Sequence, residues 1–513
     1  METSKRNGFV SKIGFILASA GSAIGLGNLW SFPYKTSANG GAAFVLVYLL
    51  SVIVIGSIIM IAEIHIGRRS QANPVTAFKN INKNIGWLGV LGIIVALLIL
   101  CFYSILGGYT VKYTLNSFND NSTILATFSG NIGEVIIYTA IFLIMAITVV
   151  AAGIAKGIEK VCKILMPVLF FILVAIVIYC LCLGEGVAEG LSYFLKPDFS
   201  TLGLKGALAA MSQALFSMSL GAGVTISLGS YAGKDINIGN SVIIIAIFDT
   251  LVALLAGLAI FPAIYHYKAV TGKSLTDNGI LLLFVSMPSI FNSLGVTGKI
   301  VSFLFFGMVA IAALTSVVSM IEVVTQFCIQ AFKVKRKIAV YIVGAIIFLV
   351  SVPIGISLGF KLNGIAGMTI FGLGYLEFFD TLTSTTMMPI CAFGECLAIG
   401  WFAFDSRGKE KFSVSLFSDN LEKDGLKLGR AEKFFAVMVK YVTPVLIAVI
   451  EVFGLADVVF PKVEGARQFS SQGLCIAAVS LAVLGALIAI YFIFLKNRDT
   501  GCNADELNRQ DEK

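Results

Sequence analysis

Three glycines within seven residues, Gly21, Gly25 and Gly27, run straight into Asn28 inside an otherwise apolar stretch. Each glycine costs nearly ~1 kcal/mol against alanine in a helix interior, so this stretch resists winding into one continuous helix. A second apolar stretch has the same weakness between Phe216 and Gly223, which reads FSMSLGAG. Broken helices free backbone carbonyls, and with nearby hydroxyl or amide oxygens these supply the ligands that a small hard cation needs. The free amides that begin a half-helix suit a carboxylate instead. Glu63, Asp249, Glu322 and Glu395 also lie within apolar stretches, as does the pair Thr315-Ser316. Ionisable groups in such places are functional by default. Taken singly these signals are weak. Gly21-x-x-x-Gly25 alone serves close helix packing, and Thr315-Ser316 alone back-bonds to its own helix. Two matching breaks in one chain carry more. Enzyme chemistry finds no support: the sequence offers no nucleophile–base pair, metal cluster or cofactor motif, and the glycines do not follow a nucleotide-loop order.

The elements that must position these residues are set by composition. The chain has 513 residues, 58% apolar and 13% charged, about half the ~25% charge of soluble proteins. Mean hydropathy is +0.93, and 40 Phe accompany two His. Such a chain cannot clothe a water-soluble surface, so long stretches must face lipid. Spans of about 20 apolar residues fall near 13–35, 42–66, 87–115, 135–153, 161–183, 207–231, 240–266, 298–332, 338–359, 369–402, 435–456 and 470–495. The expected fold is therefore an all-α polytopic membrane protein of about 12 helices. The breaks fall in spans 1 and 6, the first of two blocks of five, which points to a 5+5 inverted repeat with the site where the breaks meet. The first span, cut by its glycines and without a small-residue cleavage site, does not read as a cleavable signal.

With the N-terminus inside, 26 of the 37 Lys and Arg fall on the inner side of the spans. Positive-inside bias then puts both termini in the cytoplasm of a multi-pass plasma-membrane protein. The formal charge of +8 reads as topology and contact with the lipid bilayer, not as a nucleic-acid surface. The nine cysteines lie mostly in apolar stretches and show no zinc spacing, so they read as small buried hydrophobes. The organisation is a cytoplasmic tail at 1–12, a transport core at 13–403 (spans 1–10), a cytoplasmic loop at 404–434, spans 11–12 at 435–495 and a cytoplasmic tail at 496–513. Short surface helices are expected within 185–205 and 275–294. Oligomeric state leaves no mark in the sequence.

The run GSAIGLGNLWSFP from Gly21 to Pro33 resembles the first-helix signature of the neurotransmitter:sodium symporter family, with its LeuT-type fold. ALTS at 313–316, Glu63-x-x-x-Gly67-Arg68 and DTLVALLAG at 249–257 are similar to that family too, in order through spans 1–10. The resemblance implies two sodium positions. One would use the Ala23 carbonyl, Asn28, Ser217 and Asp249. The other would use carbonyls of Gly21, Ile24 and Ala312 with the hydroxyls of Thr315 and Ser316. It implies an amino-acid substrate whose carboxylate meets the amides near Leu26 and Gly27 and the Tyr103 hydroxyl. The ammonium would meet the carbonyls of Ala23 and Phe216 and the Ser219 hydroxyl. Ile99, Phe216, Ala222, Ser316 and Met320 would line the side-chain pocket. Glu63 would brace the broken helices by accepting their free amides.

Two departures concern the gates. Where the family commonly has an outer-gate Arg, this chain has Ser31, while the acid of span 10 is kept as Asp380. The outer gate is then expected to close through Tyr103 and Phe216 with water or a hydroxyl bond. On the inside Arg6 is present, but its acidic partner is replaced by Gln330. An Arg6–Gln330 hydrogen bond, helped by Tyr231, is expected there. The leading reading is a sodium-coupled symporter of a small amino acid, hydrophobic or aromatic, working by alternating access without chloride. A proton-coupled carrier of the same fold and a non-transporting amino-acid sensor stay open. A channel is disfavoured, since no charge ring is visible.

Overall fold

In the computed structural model, residues 8–496 are described except 120–123, 234, 274–278, 363–367, 402–433, 436, 461, 464–465 and 468. The expected cytoplasmic loop and tails, with Arg6, therefore lie almost wholly outside the described residues. Among the described residues, ten helices are long and apolar enough to cross a membrane, including Ala42–Ser70, Trp87–Leu115, Ile154–Leu181, Ile238–Thr271 and Gly295–Phe332. An eleventh span is a bent pair, Lys12–Ala23 and Gly27–Ala38, whose halves meet at 47°. Span 6 completes the set as two helices, Gly203–Ser217 and Val224–Ser230, with residues 218–223 unwound between them. The two expected breaks are both present. Helical spans dominate because a bilayer leaves no water to satisfy a bare backbone.

Local sequence sets the helix ends. Ser11 caps span 1 by accepting from the Gly14 amide, and Asn237 caps span 7 through the Asn240 amide. A short helix that the span pattern does not reveal, Pro74–Ile81, starts on an Asn73 cap followed by proline. Short helices Val187–Leu195 and Met287–Ser293 stand where they are expected. Span 10 needs one correction. It begins at Tyr375 rather than near 369, because residues 369–374 fold back as a two-stranded hairpin. Gly372 at φ +79° supplies the turn that a continuous helix would not allow.

Spans 3 and 8 form the most extensive helix pairing and act as the scaffold. The first half of span 1, Lys12–Ala23, packs on spans 5, 7 and 8. Both halves of span 6 lean on span 2 instead. Each break therefore has its own supporting wall. The eight described cysteines are all free, and five of them are buried.

Candidate substrate and cation site

The break in span 1 exposes backbone groups at Ile24, Gly25 and Leu26, and side chains of distant spans close on them. The Leu26 amide donates to the Tyr103 hydroxyl at 2.6 Å, and the Gly25 amide to Asn28 Oδ1 at 3.3 Å. The Ser316 hydroxyl lies 3.2, 3.1 and 3.4 Å from the carbonyls of Gly21, Ser22 and Ile24. Gly25 has to be bare: a Cβ there would stand 2.5 Å from both Ser316 Oγ and the Tyr103 hydroxyl. Thr315 faces its own helix, donating towards the Ile311 and Ala312 carbonyls at 3.2 and 3.1 Å, while its Cβ stays close to Gly21. Thus Gly21, Ile24, Ala312, Thr315 and Ser316 come together around one point beneath the break.

A second cluster surrounds Asp249, which is fully buried in span 7. Asn28 Nδ2 donates to Asp249 Oδ1 at 2.8 Å and to its carbonyl at 3.0 Å. Ser217 Oγ donates at 2.8 Å to Oδ2, and the Tyr48 hydroxyl reaches the same oxygen at 3.3 Å. Tyr48 is absent from the sequence-based set: an aromatic residue in an apolar span carries no signal of its own. A buried carboxylate needs such donors or a cation, since desolvation alone would neutralise it.

Between the clusters lies a cavity of about 20 Å3. Its lining includes Ala23, Gly27, Ile99, Tyr103, Phe216, Ser219, Ala222, Ser316 and Met320, all expected, together with Ser22 and Met388, which were not. The Ser219 hydroxyl, on a residue at φ +55°, donates to the Ser22 carbonyl and so ties the two breaks together. Leu26 contributes its amide rather than a wall, and Ser217 turns away to Asp249.

Comparison with known proteins places this geometry. The model of the sodium:neurotransmitter symporter family matches residues 6–125 and 122–498. The chain belongs to this family. Among solved structures, MhsT in complex with L-phenylalanine superposes with a TM-score of 0.78 at 35% identity, over 87% of this chain and 99% of that one. The sodium-dependent transporter YhdH of Bacillus subtilis is 34% identical over 405 residues, 76% of this chain and 86% of the relative. A sodium-dependent transporter of Haemophilus influenzae is 31% identical over 472 residues, 88% and 98% of the two chains. The human sodium- and chloride-dependent neutral and basic amino acid transporter B(0+) is 23% identical over 480 residues, 78% and 73% of the two chains. The chain thus has the LeuT-type fold and multi-span membrane character that its sequence implies.

Around the site, Glu63 of span 2 accepts from the Gly221 amide at 2.9 Å and from the Thr225 hydroxyl. It serves the break in span 6 rather than both breaks. Its carboxyl also meets that of Glu395 in span 10. Of the expected Arg6–Gln330 contact, Arg6 lies outside the described residues. Gln330 Oε1 accepts from the backbone and side-chain amides of Asn73 at 2.8 and 2.5 Å. Tyr231 donates to Glu322 at 2.8 Å, and Arg336 pairs with both oxygens of the same carboxylate. Glu322 and Arg336, 14 residues apart in sequence, thus pair between spans 8 and 9. The N-terminal segment is held by Glu159, which accepts from the Val10 amide at 2.7 Å and the Ser11 hydroxyl at 2.9 Å. In the second half of span 1 the Ser31 hydroxyl donates to Gln213 at 2.9 Å, and Gln213 donates in turn to the Gly27 carbonyl at 2.9 Å. The Ser31 hydroxyl thus bonds a buried glutamine of span 6, while Tyr103 and Phe216 line the cavity.

Proposed function

We propose that this chain is a sodium-coupled symporter of a hydrophobic or aromatic amino acid, working by alternating access in the plasma membrane with both termini in the cytoplasm. The observation that carries the reading is the pair of oxygen clusters flanking one cavity. Asn28, Ser217, Asp249 and the Ala23 carbonyl would hold the first sodium. The carbonyls of Gly21, Ile24 and Ala312 with Thr315 and Ser316 would hold the second. The substrate carboxylate would take the Leu26 and Gly27 amides, displacing Tyr103 from the Leu26 amide to a donor position on the carboxylate. Sodium would convert groups that now bond one another into cation ligands, so both binding events share the same residues and must be linked. Apolar walls from Ile99, Ala222, Met320 and Met388 support an apolar side chain, in keeping with the L-phenylalanine bound by MhsT. Asp249 supplies a fixed negative charge beside the first sodium, and Ala253, one turn on, has no hydroxyl to hold an anion. Transport would then need no chloride.

The test uses purified protein in proteoliposomes with an imposed inward sodium gradient. Labelled L-phenylalanine should accumulate, collapse on adding a sodium ionophore, and be indifferent to gluconate in place of chloride. Uptake driven by a proton gradient without sodium would favour the proton-coupled reading. Sodium-dependent binding with no accumulation would favour a sensor.

A further inference from the structure

Above the substrate cavity, the roof is the ring of Phe216, and the Lys35 ammonium lies over it at 5.7 Å from the ring centre. Lys35 stands one helical turn beyond Ser31, on the last turn of Gly27–Ala38, where the negative helix end favours a cation. Across the vestibule Asp380 attracts it without an ion-pair contact. The acids of that part of span 10 are already sorted: Glu377 is paired with Lys361, while Asp380 holds the Ser384 hydroxyl at 2.8 Å. Beside the roof is a cavity of about 520 Å3 lined by Lys35, Ala209, Ser212, Thr381, Thr385 and Phe453, among others. A long lysine side chain has room there to swing away. Nothing in the cation or substrate clusters uses Lys35.

We propose that Lys35 is the latch of the outer gate: its ammonium pins Phe216 over the cavity while drawn to Asp380, and it retracts into the neighbouring cavity when the gate opens. The chain has thus moved the gate cation outward by one turn, freeing position 31 for the hydrogen bond to Gln213. A lysine over an aromatic ring and near a carboxylate holds weakly enough to release on every cycle. This reading rests on the proposed amino-acid site only for what lies beneath the latch.

The experiment preloads the sodium-bound, detergent-solubilised protein with labelled L-phenylalanine and follows its release on chasing with unlabelled L-phenylalanine. Lys35→Met and Asp380→Asn should each speed release about fivefold, and Lys35→Arg should stay within about twofold of the parent. The double variant Lys35→Met/Asp380→Asn should be no faster than either single one, since both remove one latch. Unchanged release in Lys35→Met, equal loss in Lys35→Arg, or multiplying effects in the double variant would overturn the latch. Thermal unfolding of the same four variants in sodium, without any amino acid, decides the point if L-phenylalanine does not bind the parent. Non-additive losses support the latch and additive ones reject it, while absent binding counts against the substrate class alone.

Discussion

The two broken helices are satisfied in opposite ways. In span 1 the orphaned groups bond neutral, exchangeable partners: the Tyr103 and Ser316 hydroxyls and the Asn28 amide. In span 6 the Gly221 amide is taken by Glu63, a buried carboxylate outside the cavity lining, and the Leu220 and Ser219 amides bond back to Leu215 and Phe216 of their own helix. A neutral hydroxyl can turn from a carbonyl to a cation at small cost. A buried carboxylate holding two donors cannot let go without leaving them unsatisfied. On the proposed function, one break acts as a switch and the other as a fixed hinge seat leaning on span 2.

The largest effect should come from the fixed side. Glu63→Ala orphans the Gly221 amide and the Thr225 hydroxyl and is expected to cost about 2–3 kcal/mol of stability. Because ligands do not reach this brace, the drop in thermal unfolding temperature should be the same with and without sodium. Full recovery by sodium would mean that the span 6 break is as ligand-responsive as the other.

On the switch side Asp249→Asn comes next. It removes the one full charge of the first cluster while preserving shape, and apparent sodium affinity should fall by more than tenfold, at about 2 kcal/mol for a charge-assisted contact. Paired with Ala253→Ser, the same change should make uptake respond to chloride when gluconate is the control. A parent that already depends strongly on chloride would refute the fixed-charge role of Asp249.

Smaller losses should separate the two clusters. Asn28→Ala removes an oxygen shared between the first sodium and the substrate side of the break, so both affinities should drop together, each about tenfold. Thr315→Ala should act on sodium, about fivefold, and on substrate only through that linkage. Titrations of each ligand at fixed concentrations of the other provide the measurement. Parent-like binding in both variants would dismiss the two-cluster assignment.

The fold was largely legible because a bilayer turns hydrophobic length directly into helices, and because the glycines and Asn28 mark the broken span. The span 10 start was misplaced because TIFGLG at 369–374 is apolar enough to pass for helix, while its turn depends on backbone angles at Gly372. Within the site, groups at the breaks could be named from spacing and resemblance. Tyr48, Gln213, Met388 and Lys35 could not, because each is an ordinary residue on its own helix and gains its part from what another helix sets opposite. Ser31 shows the limit clearly. Its sequence announces a missing arginine, but the buried Gln213 that answers it lies 182 residues away.

The smallest effect should come from the rim of the fixed break, and it tests whether that rim shapes the substrate without joining the switch. Ala222 lies between Gly221 and Gly223, both at positive φ, so its own position is set by the turn and its side chain faces the cavity. A phenyl group there would take space that an aromatic substrate needs, while alanine or glycine would still fit. Ala222→Phe should lower the preference for L-phenylalanine over L-alanine by about tenfold, or ~1.4 kcal/mol, within the range expected of pocket-size discrimination. Overpacking could also weaken the fold, but a partly unfolded sample lowers binding of both amino acids alike and leaves their ratio untouched. The ratio from sodium-dependent competition is therefore the deciding measurement. Sodium affinity measured without any amino acid should stay near the parent value, because Glu63 still seats the break. An unchanged ratio would make Ala222 a packing residue, and a large loss of sodium affinity would mean that the two breaks are not separable.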